Sequence, residues 1–224
     1  MNSKVKDLIK AEKKAELLFK EIERRDILIA GNSEEKINSM IFDLAFEMFG
    51  IKHYWHKRIV RCGENTLFPY NEDPINLTLK DDDILFLDFG PIFEKWEADF
   101  GRTYVIGNDP YKIKLRKDIE KAWYEGSEYF KSKSKISGAE LYSFSQSLAI
   151  KYGWDFGGEI AGHIIGQYPH EKLEKEDKSN YIHHENQTDM YGLNKKGEKK
   201  NWILEMHFVD RKKKIGGFFE QLMA

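Results

Sequence analysis

The chain has 224 residues, and its 41% hydrophobic and 14% aromatic content is enough for a sizeable core, which excludes an intrinsically disordered protein. Its 36 basic and 38 acidic residues nearly balance, which argues against a strongly basic nucleic-acid binder. Cys62 is the single cysteine, so no intramolecular disulfide can form. The start of the chain, MNSKVKDLIKAEKK, is too charged for a signal peptide or a membrane span. We therefore expect a cytoplasmic protein with neither nucleic acid nor membrane as a partner.

Two helices are predicted for the first fifty residues. A helix over 3–25 follows from apolar residues spaced three or four apart, namely Leu8, Ala11, Ala15, Leu18 and Ile22. The second helix is predicted to begin after Asn32 or Ser33, either of which can serve as its N-cap. It should end at Gly50, because glycine adopts the left-handed conformation that commonly closes a helix.

The rest of the chain alternates between strand-like and helical patterns. The runs WHKRIV, ILFLDF and GRTYVI are short and rich in β-branched and aromatic residues, which favours strands, and EIAGHIIG, WILEMHFV and GGFFEQLM repeat that character near the end. Helices are predicted near 110–131 and 138–151, and the polar stretch 171–200 is predicted to be a long surface loop. We expect one α+β domain over residues 1–224, an antiparallel sheet with helices packed against it.

Two aspartates stand at the ends of predicted strands. In ILFLDF the alternation puts Phe86 and Asp88 on one face of the strand. Asp99 follows eleven residues later at the start of another strand, after a predicted turn near 90–95, so adjacent strands could bring both carboxylates together. Burying such a carboxylate is costly unless its charge is compensated. An isolated pair of this kind is explained equally well by strand-end residues that cap turns.

Three more polar residues interrupt apolar runs. His163 lies between two glycines in AGHIIG, Glu205 interrupts WILEMHFV, and Glu220 interrupts GGFFEQLM. Taken singly, a histidine of this kind is usually a hydrogen-bonded core residue, and each glutamate is usually solvated on an edge strand. Four acids and one imidazole at strand-like positions suit divalent transition metals, and bridging carboxylates can hold two ions about 3.5–4 Å apart. The pattern therefore predicts a metal site.

The order and spacing of these segments resemble the creatinase/aminopeptidase superfamily, which includes methionine aminopeptidase, Xaa-Pro aminopeptidase and prolidase. LDFGP is similar to the family's D-x-G segment and ADFGRT to its D-x-x-R-T segment, which assigns Asp88 and Asp99 as metal ligands. GHIIGQYPHE resembles the G-H-x-I-G…H-E segment, which assigns His163 as a ligand and His170 as a second, substrate-side histidine.

The last two segments complete the resemblance. ILEMHF is similar to the family's T-I-E-P segment and FFEQL to its final bridging glutamate, so Glu205 and Glu220 are the remaining ligands that it implies. The resemblance covers nearly the whole chain. It implies a pita-bread fold, a curved antiparallel sheet with flanking helices, that holds two divalent ions, with Mn, Co, Zn and Fe as the candidate metals.

The resemblance also implies roles in hydrolysis by a metal-activated water. Glu205 would be the proton acceptor as well as a ligand, and His170 would donate a hydrogen bond to the substrate. The family carries a further substrate-contacting histidine after a G-x-N segment. Here GENTLFPY places Tyr70 at that position, with Pro69 as the alternative, and His53 or His56 from the preceding run could take over the vacant role. Tyr70, His170 and His56 are therefore the predicted substrate-binding residues.

Several functions are compatible with this ligand set. We expect an Xaa-Pro-type aminopeptidase or dipeptidase that acts on short peptides, with methionine aminopeptidase as the alternative. A non-peptidase hydrolase of small amides or amidines, as creatinase is, stays open, and so does a non-catalytic peptide-binding scaffold. Xaa-Pro peptidases often carry a separate N-terminal domain, and from a sequence of 224 residues we expect none in this chain. The sequence leaves a homodimer open.

Overall fold

The structure is a computed structural model that describes residues 3–169 and 177–223. Its α-helices are α1 (Ser3–Arg24), α2 (Glu34–Phe49), α3 (Pro110–Lys131) and α4 (Gly138–Tyr152). The predicted bounds of all four helices are confirmed to within one or two residues. Within the described ranges, no helix combines the length and the apolar character that crossing a lipid bilayer would require.

The helix ends follow from local hydrogen bonding. The side chain of Ser33 accepts a hydrogen bond from the N–H of Lys36 at the start of α2, so the N-cap is Ser33 rather than Asn32. Gly50 ends α2 in the left-handed region, with a φ of 68°, and its N–H donates to the carbonyl of Phe46. Glycine is needed there because a side chain would strain this conformation.

The strands build one antiparallel sheet and a small hairpin. In chain order they are β1 (Ile59–Cys62), β2 (Ile84–Phe89), β3 (Ile92–Phe93), β4 (Trp96–Glu97), β5 (Phe100–Val105), β6 (Asp155–Phe156), β7 (Ile164–Ile165), β8 (Asn201–Asp210) and β9 (Ile215–Leu222). The sheet order is β1-β2-β5-β9-β8-β6, and β7 pairs with β8. The hairpin β3-β4 leaves the sheet between β2 and β5. This arrangement confirms the predicted α+β class.

The helices cover one face of the sheet. Around α1 and α2 the buried apolar residues include Leu18, Ile22, Ile37, Leu87 and Phe89. Around α3 and α4 they include Ile119, Trp123, Leu148, Leu204 and Phe219. The opposite face of β1, β2 and β9 carries a separate small cluster of Ile59, Phe86 and Phe218. The side chains on this second face are therefore free to line a site.

Three predicted elements differ from the structure. The run WHKRIV is a strand only from Ile59, because Trp55 and His56 lie in a bend. In EIAGHIIG only Ile164 and Ile165 form a strand. The stretch 171–200 is not purely a surface loop, because two of its residues are buried in the core beside α3 and α4, Ile182 and Met190. Periodicity missed them because isolated apolar residues in a polar stretch have none.

Candidate metal centre

The register of neighbouring strands aligns three acidic side chains. Asp88 on β2 lies opposite Gly101 on β5, which in turn lies opposite Glu220 on β9. Glu220 lies opposite Glu205 on β8. Residues directly opposite in antiparallel strands point to the same face, so the carboxylates form one row across the sheet. Only glycine fits at position 101 between these acids, because a Cβ there would lie only 2.6 Å from the ring of Phe218.

Asp99 and His163 enter the same site from positions just outside regular strands. Asp99 comes directly before β5, and His163 directly before β7. The Nε2 atom of His163 lies 3.1 Å from Oδ2 of Asp99 and 3.9 Å from Oε1 of Glu220. Asp99 is only 1% exposed, so its charge is held away from bulk water and is compensated mainly by its neighbours.

His56 faces Asp99 from the other side. Its Nε2 atom lies 3.1 Å from Oδ1 of Asp99 and 3.5 Å from Oδ1 of Asp88. Asp99 therefore has one imidazole at each of its oxygens. Two groups of donor atoms result, and in each the atoms lie within 4.8 Å of one another: His56 with Asp88 and Asp99, and Asp99 with His163 and Glu220. Asp99 is the residue that these two groups share.

Burial perturbs the carboxylates of the row. It raises the pKa of Asp88 to about 6, although the charge of His56 opposes this. It raises the pKa of Glu205 to about 7, with the charge of His163 opposing. The pKa of Glu220 is raised well above its ordinary value by burial and by repulsion from Asp99 and Asp88. The positive charge of the neighbouring imidazoles is therefore too small to keep all three of these carboxylates ionised.

The pKa shifts of Asp99 and His56, in contrast, favour the charged form of each side chain. Burial would raise the pKa of Asp99, but the charge of His56 and hydrogen bonds from His163 and His56 hold it at about 2. Burial would lower the pKa of His56, but the charges of Asp88 and Asp99 raise it to about 9. The protonated imidazoles thus supply part of the positive charge that the cluster of acids requires.

Two buried oxygens show what the cluster lacks. Among the residues that the structure describes, none donates a hydrogen bond to Oδ1 of Asp88 or Oε2 of Glu220, although both atoms are buried. A buried carboxylate oxygen without a donor is costly, and a bound cation relieves that cost. Carboxylate oxygens together with imidazole nitrogens are the donor set that Mn²⁺, Co²⁺, Zn²⁺ and Fe²⁺ accept. The residues present therefore fit the predicted divalent ions.

The cluster lies at the base of a cavity of about 370 Å³. All five predicted ligands line it, namely Asp88, Asp99, His163, Glu205 and Glu220. Apolar side chains form much of the wall, including Ile59, Phe68, Phe86, Ile160 and Phe218. Glu159 and Lys178 also line the cavity and offer one charge of each sign. Neither was predicted from the sequence, because each lies in an irregular segment with no motif to mark it.

The predicted substrate-binding residues fall into three cases. Tyr70 lines the cavity and is 44% exposed, and its hydroxyl accepts a hydrogen bond from the N–H of Lys57 at 3.3 Å. His56 also lines the cavity, where it contacts two aspartates directly. His170 lies outside the described residues, so its role stays a prediction.

Arg102 acts on the backbone of the site rather than on the carboxylate of Asp99. In the described part of the chain its guanidinium donates to the carbonyl of Glu220 at 2.9 Å and to the side chain of Gln221. It also stacks between the rings of Phe100 and Phe219, at 3.7 and 3.8 Å from their centroids. These contacts hold β9 in place beside β5.

Comparison with known proteins places the fold. The model of metallopeptidase family M24 matches residues 6–197. Among solved structures, an X-Pro aminopeptidase from Thermotoga maritima is 20% identical, with a TM-score of 0.74 over 97% of this chain and 56% of that one. A dipeptidase from Mycobacterium ulcerans is 18% identical, with a TM-score of 0.77 over 99% of this chain and 55% of that one. A comparison with curated proteins found no match.

A further neighbour agrees in length. A methionine aminopeptidase from Thermotoga maritima is 15% identical, with a TM-score of 0.70 over 100% of this chain and 97% of that one. The chain thus spans about the whole length of this structure but little more than half of the X-Pro aminopeptidase and the dipeptidase. At these identities the likeness establishes the fold, and the predicted pita-bread architecture is confirmed.

Proposed function

Because the chain belongs to metallopeptidase family M24, we propose that it is a dinuclear-metal hydrolase that cleaves short peptides, as an Xaa-Pro-type aminopeptidase or dipeptidase. The neighbouring structures include proteins described as an X-Pro aminopeptidase and a dipeptidase, which supports this substrate class. A cytoplasmic location and a homodimer stay predictions from the sequence.

One observation carries the proposal. Four carboxylates and two imidazoles meet at the base of one cavity, and buried oxygens of Asp88 and Glu220 face no hydrogen-bond donor within residues 3–169 and 177–223. The donor groups overlap at Asp99, whose two oxygens face His56 and His163 separately. We infer that Asp88, Asp99 and Glu220, with His163 and Glu205, hold two divalent ions. A structural ion pair would have no need of so many acids.

The reaction that this site supports is hydrolysis of a peptide bond. Two divalent ions held there would supply Lewis acidity, which polarises a carbonyl group and makes a water molecule more acidic. Glu205 would supply the base, because its carboxylate lies opposite Glu220 in the same row of acids and lines the same cavity, where it can accept a proton from water and pass it to the departing amine.

The shape and lining of the cavity favour a short substrate. Its volume of about 370 Å³ is at the small end of the range for small-molecule pockets, roughly 300–1,000 Å³. Apolar side chains such as Phe86 and Phe218 suit an apolar residue or a prolyl ring. Glu159 and Lys178 can pair with a substrate ammonium and carboxylate, respectively. We infer that peptides of two or three residues are the preferred substrates.

A panel of peptides tests this proposal. The protein is stripped with a chelator, reloaded with Mn²⁺, Co²⁺ or Zn²⁺, and assayed with Xaa-Pro dipeptides, longer Xaa-Pro peptides, methionyl peptides and small amides. We expect metal-dependent release of the N-terminal residue from Xaa-Pro substrates. Preferential cleavage of methionyl peptides, or turnover of the small amides alone, would contradict the proposed substrate class.

A pair of glutamate variants makes the test specific. Glu205→Gln removes the proton acceptor and should lower turnover by roughly 10²–10⁴-fold. Glu128→Gln makes the same chemical change on the exposed surface of α3 and should leave turnover unaltered. Equal activity of the two variants would remove Glu205 from the reaction.

A further inference from the structure

The His56 ring is held in one orientation by its surroundings. Its Nδ1 atom lies 2.7 Å from the carbonyl oxygen of Lys57, which can only accept a hydrogen bond. The Nδ1 atom must therefore carry the proton in a neutral ring. Without a metal, Nε2 carries a second proton and donates it to Oδ1 of Asp99. When a divalent ion displaces that proton, Nε2 presents a lone pair beside the oxygens of Asp88 and Asp99.

His163 is oriented in the same way on the other side of Asp99. Its Nδ1 atom lies 2.9 Å from the carbonyl oxygen of Ile164, and its Nε2 atom lies 3.1 Å from the second oxygen of Asp99. In both rings a backbone carbonyl fixes the tautomer, as it commonly does for histidines that bind metals through Nε2. The resemblance to the family assigns only His163 as a ligand. In the structure both rings have the same arrangement, with Nδ1 against a backbone carbonyl and Nε2 3.1 Å from an oxygen of Asp99.

The spacing of the donor atoms is that of ligands on one ion. Nitrogen and oxygen ligands lie about 2.0–2.2 Å from a divalent metal, so neighbouring ligand atoms at angles of 90–110° are about 2.8–3.6 Å apart. The Nε2 atom of His56 lies 3.1 Å from the Asp99 oxygen and 3.5 Å from the Asp88 oxygen. The Nε2 atom and two anionic oxygens at this spacing require a positive charge among them, which the Nε2 proton supplies without metal and a divalent ion supplies in its place.

The fold makes room for this ring and then confines it. A Cβ on Gly90 would lie 2.2 Å from Cδ2 of His56, so only glycine allows the ring to occupy its place. The adjacent Trp55 donates from its indole nitrogen to the carbonyl of Ala98 at 3.1 Å, which fixes the segment that carries His56. The side chain of His56 is only 8% exposed. Such confinement suits a ligand more than a residue that adjusts to a substrate.

From this geometry we infer that His56 is a sixth metal ligand and binds the same ion as Asp88 and Asp99, so that each ion of the site has one imidazole. The inference rests on the proposed dinuclear site and deepens it. It differs from the role suggested by the sequence, in which His56 would contact the substrate in place of the histidine that Tyr70 replaces.

Proton NMR of the Co²⁺-loaded protein tests this assignment without an activity assay. Unpaired electrons of Co²⁺ shift the Nδ1–H resonance of a ligating imidazole far outside the ordinary range. Both Nδ1–H groups are held by backbone carbonyls, so the wild-type protein should show two such exchangeable resonances. His56→Gly should show one. His53→Gly removes an exposed histidine three positions earlier and should keep both.

Calorimetric titration of the metal-free protein with Co²⁺ supplies the second measurement. The wild-type protein should bind two ions, and His56→Gly should lose at least roughly 10–100-fold in affinity for one of them, the range seen when even an outer partner of a ligand is removed. Free imidazole can enter the space left by the ring and should restore that affinity. This rescue keeps the test valid if the variant is also less stable.

The outcomes separate the inference from the function it rests on. Two bound ions and two shifted resonances in His56→Gly would overturn the role of His56 and leave the dinuclear hydrolase standing. Normal ion binding with a raised KM would assign His56 to the substrate instead. A wild-type protein that binds no Co²⁺ would contradict the proposed function itself.

Discussion

Gly90→Ala perturbs the site without changing any proposed ligand. A Cβ at position 90 would lie 2.2 Å from Cδ2 and 2.4 Å from Nε2 of His56, and 2.4 Å from Nε1 of Trp55. Ordinary contact begins near 3.4 Å, so the His56 ring would have to retreat by about 1.2 Å. Metal–ligand distances tolerate only about 0.2 Å, so the ring would leave the ion that it shares with Asp88.

The size of the effect follows from that displacement. Loss of one imidazole from one ion should weaken its binding by roughly 10–100-fold, which is about 1.4–2.7 kcal/mol. The second ion, bound by His163 and Glu220, should keep its affinity within a few-fold. Crowding in the core costs a further 1–3 kcal/mol of folding stability, roughly, and this cost is independent of metal.

Calorimetry with Co²⁺ measures the two affinities, and thermal unfolding of the metal-free protein measures the crowding cost separately. Gly217→Ala is the matched control, because a Cβ there would meet Thr103 at 3.1 Å and Leu115 at 3.5 Å, contacts that small shifts can absorb. The control should bind both ions as the wild-type protein does. Unchanged affinity for both ions in a folded Gly90→Ala protein would refute the reasoning about the ring.

Three further predictions concern other parts of the molecule. Burial raises the pKa of Glu12 from 4.5 to about 8, so the folded state keeps a proton that the unfolded chain releases. The free energy of unfolding therefore falls as pH rises from 4.5 to about 8. Glu12→Gln should remove this fall, and identical pH profiles of the variant and the wild-type protein in urea melts would contradict the prediction. Ser33→Ala removes the cap on the N–H of Lys36 and should lower the free energy of unfolding by about 1 kcal/mol in a urea melt, whereas no change would mean that the cap is not used. Tyr70→Phe should alter KM for short peptides and leave Co²⁺ binding intact; a lost ion would place Tyr70 in the metal site instead.

Local chemistry made the helices and central strands predictable. Ser33 and Gly50 bound a helix because a serine oxygen satisfies a free N–H and glycine adopts a positive φ, and both effects depend on neighbours in sequence alone. The proposed ligands could be predicted for a related reason. Acids such as Asp88 and Glu220 in apolar strands have no local explanation, so their placement pointed to a shared partner.

The remaining features depend on contacts between distant segments. His56 belongs to a run whose composition predicts a strand, but the backbone bends there and its ring packs against Gly90 and Asp99. Arg102 follows Asp99 by only three residues, but its guanidinium donates to the carbonyl of Glu220 on another strand. No periodicity or motif encodes either contact.

The proposed hydrolase requires two ions bound at one cluster. Diffraction from crystals of the Mn²⁺-loaded protein, recorded near the manganese absorption edge, would locate the ions directly. We predict two anomalous peaks about 3.5–4 Å apart, both in contact with Asp99, one beside Asp88 and His56 and the other beside His163. A single peak, or peaks that lie away from Asp99, in crystals whose metal content is confirmed by elemental analysis would contradict the dinuclear site.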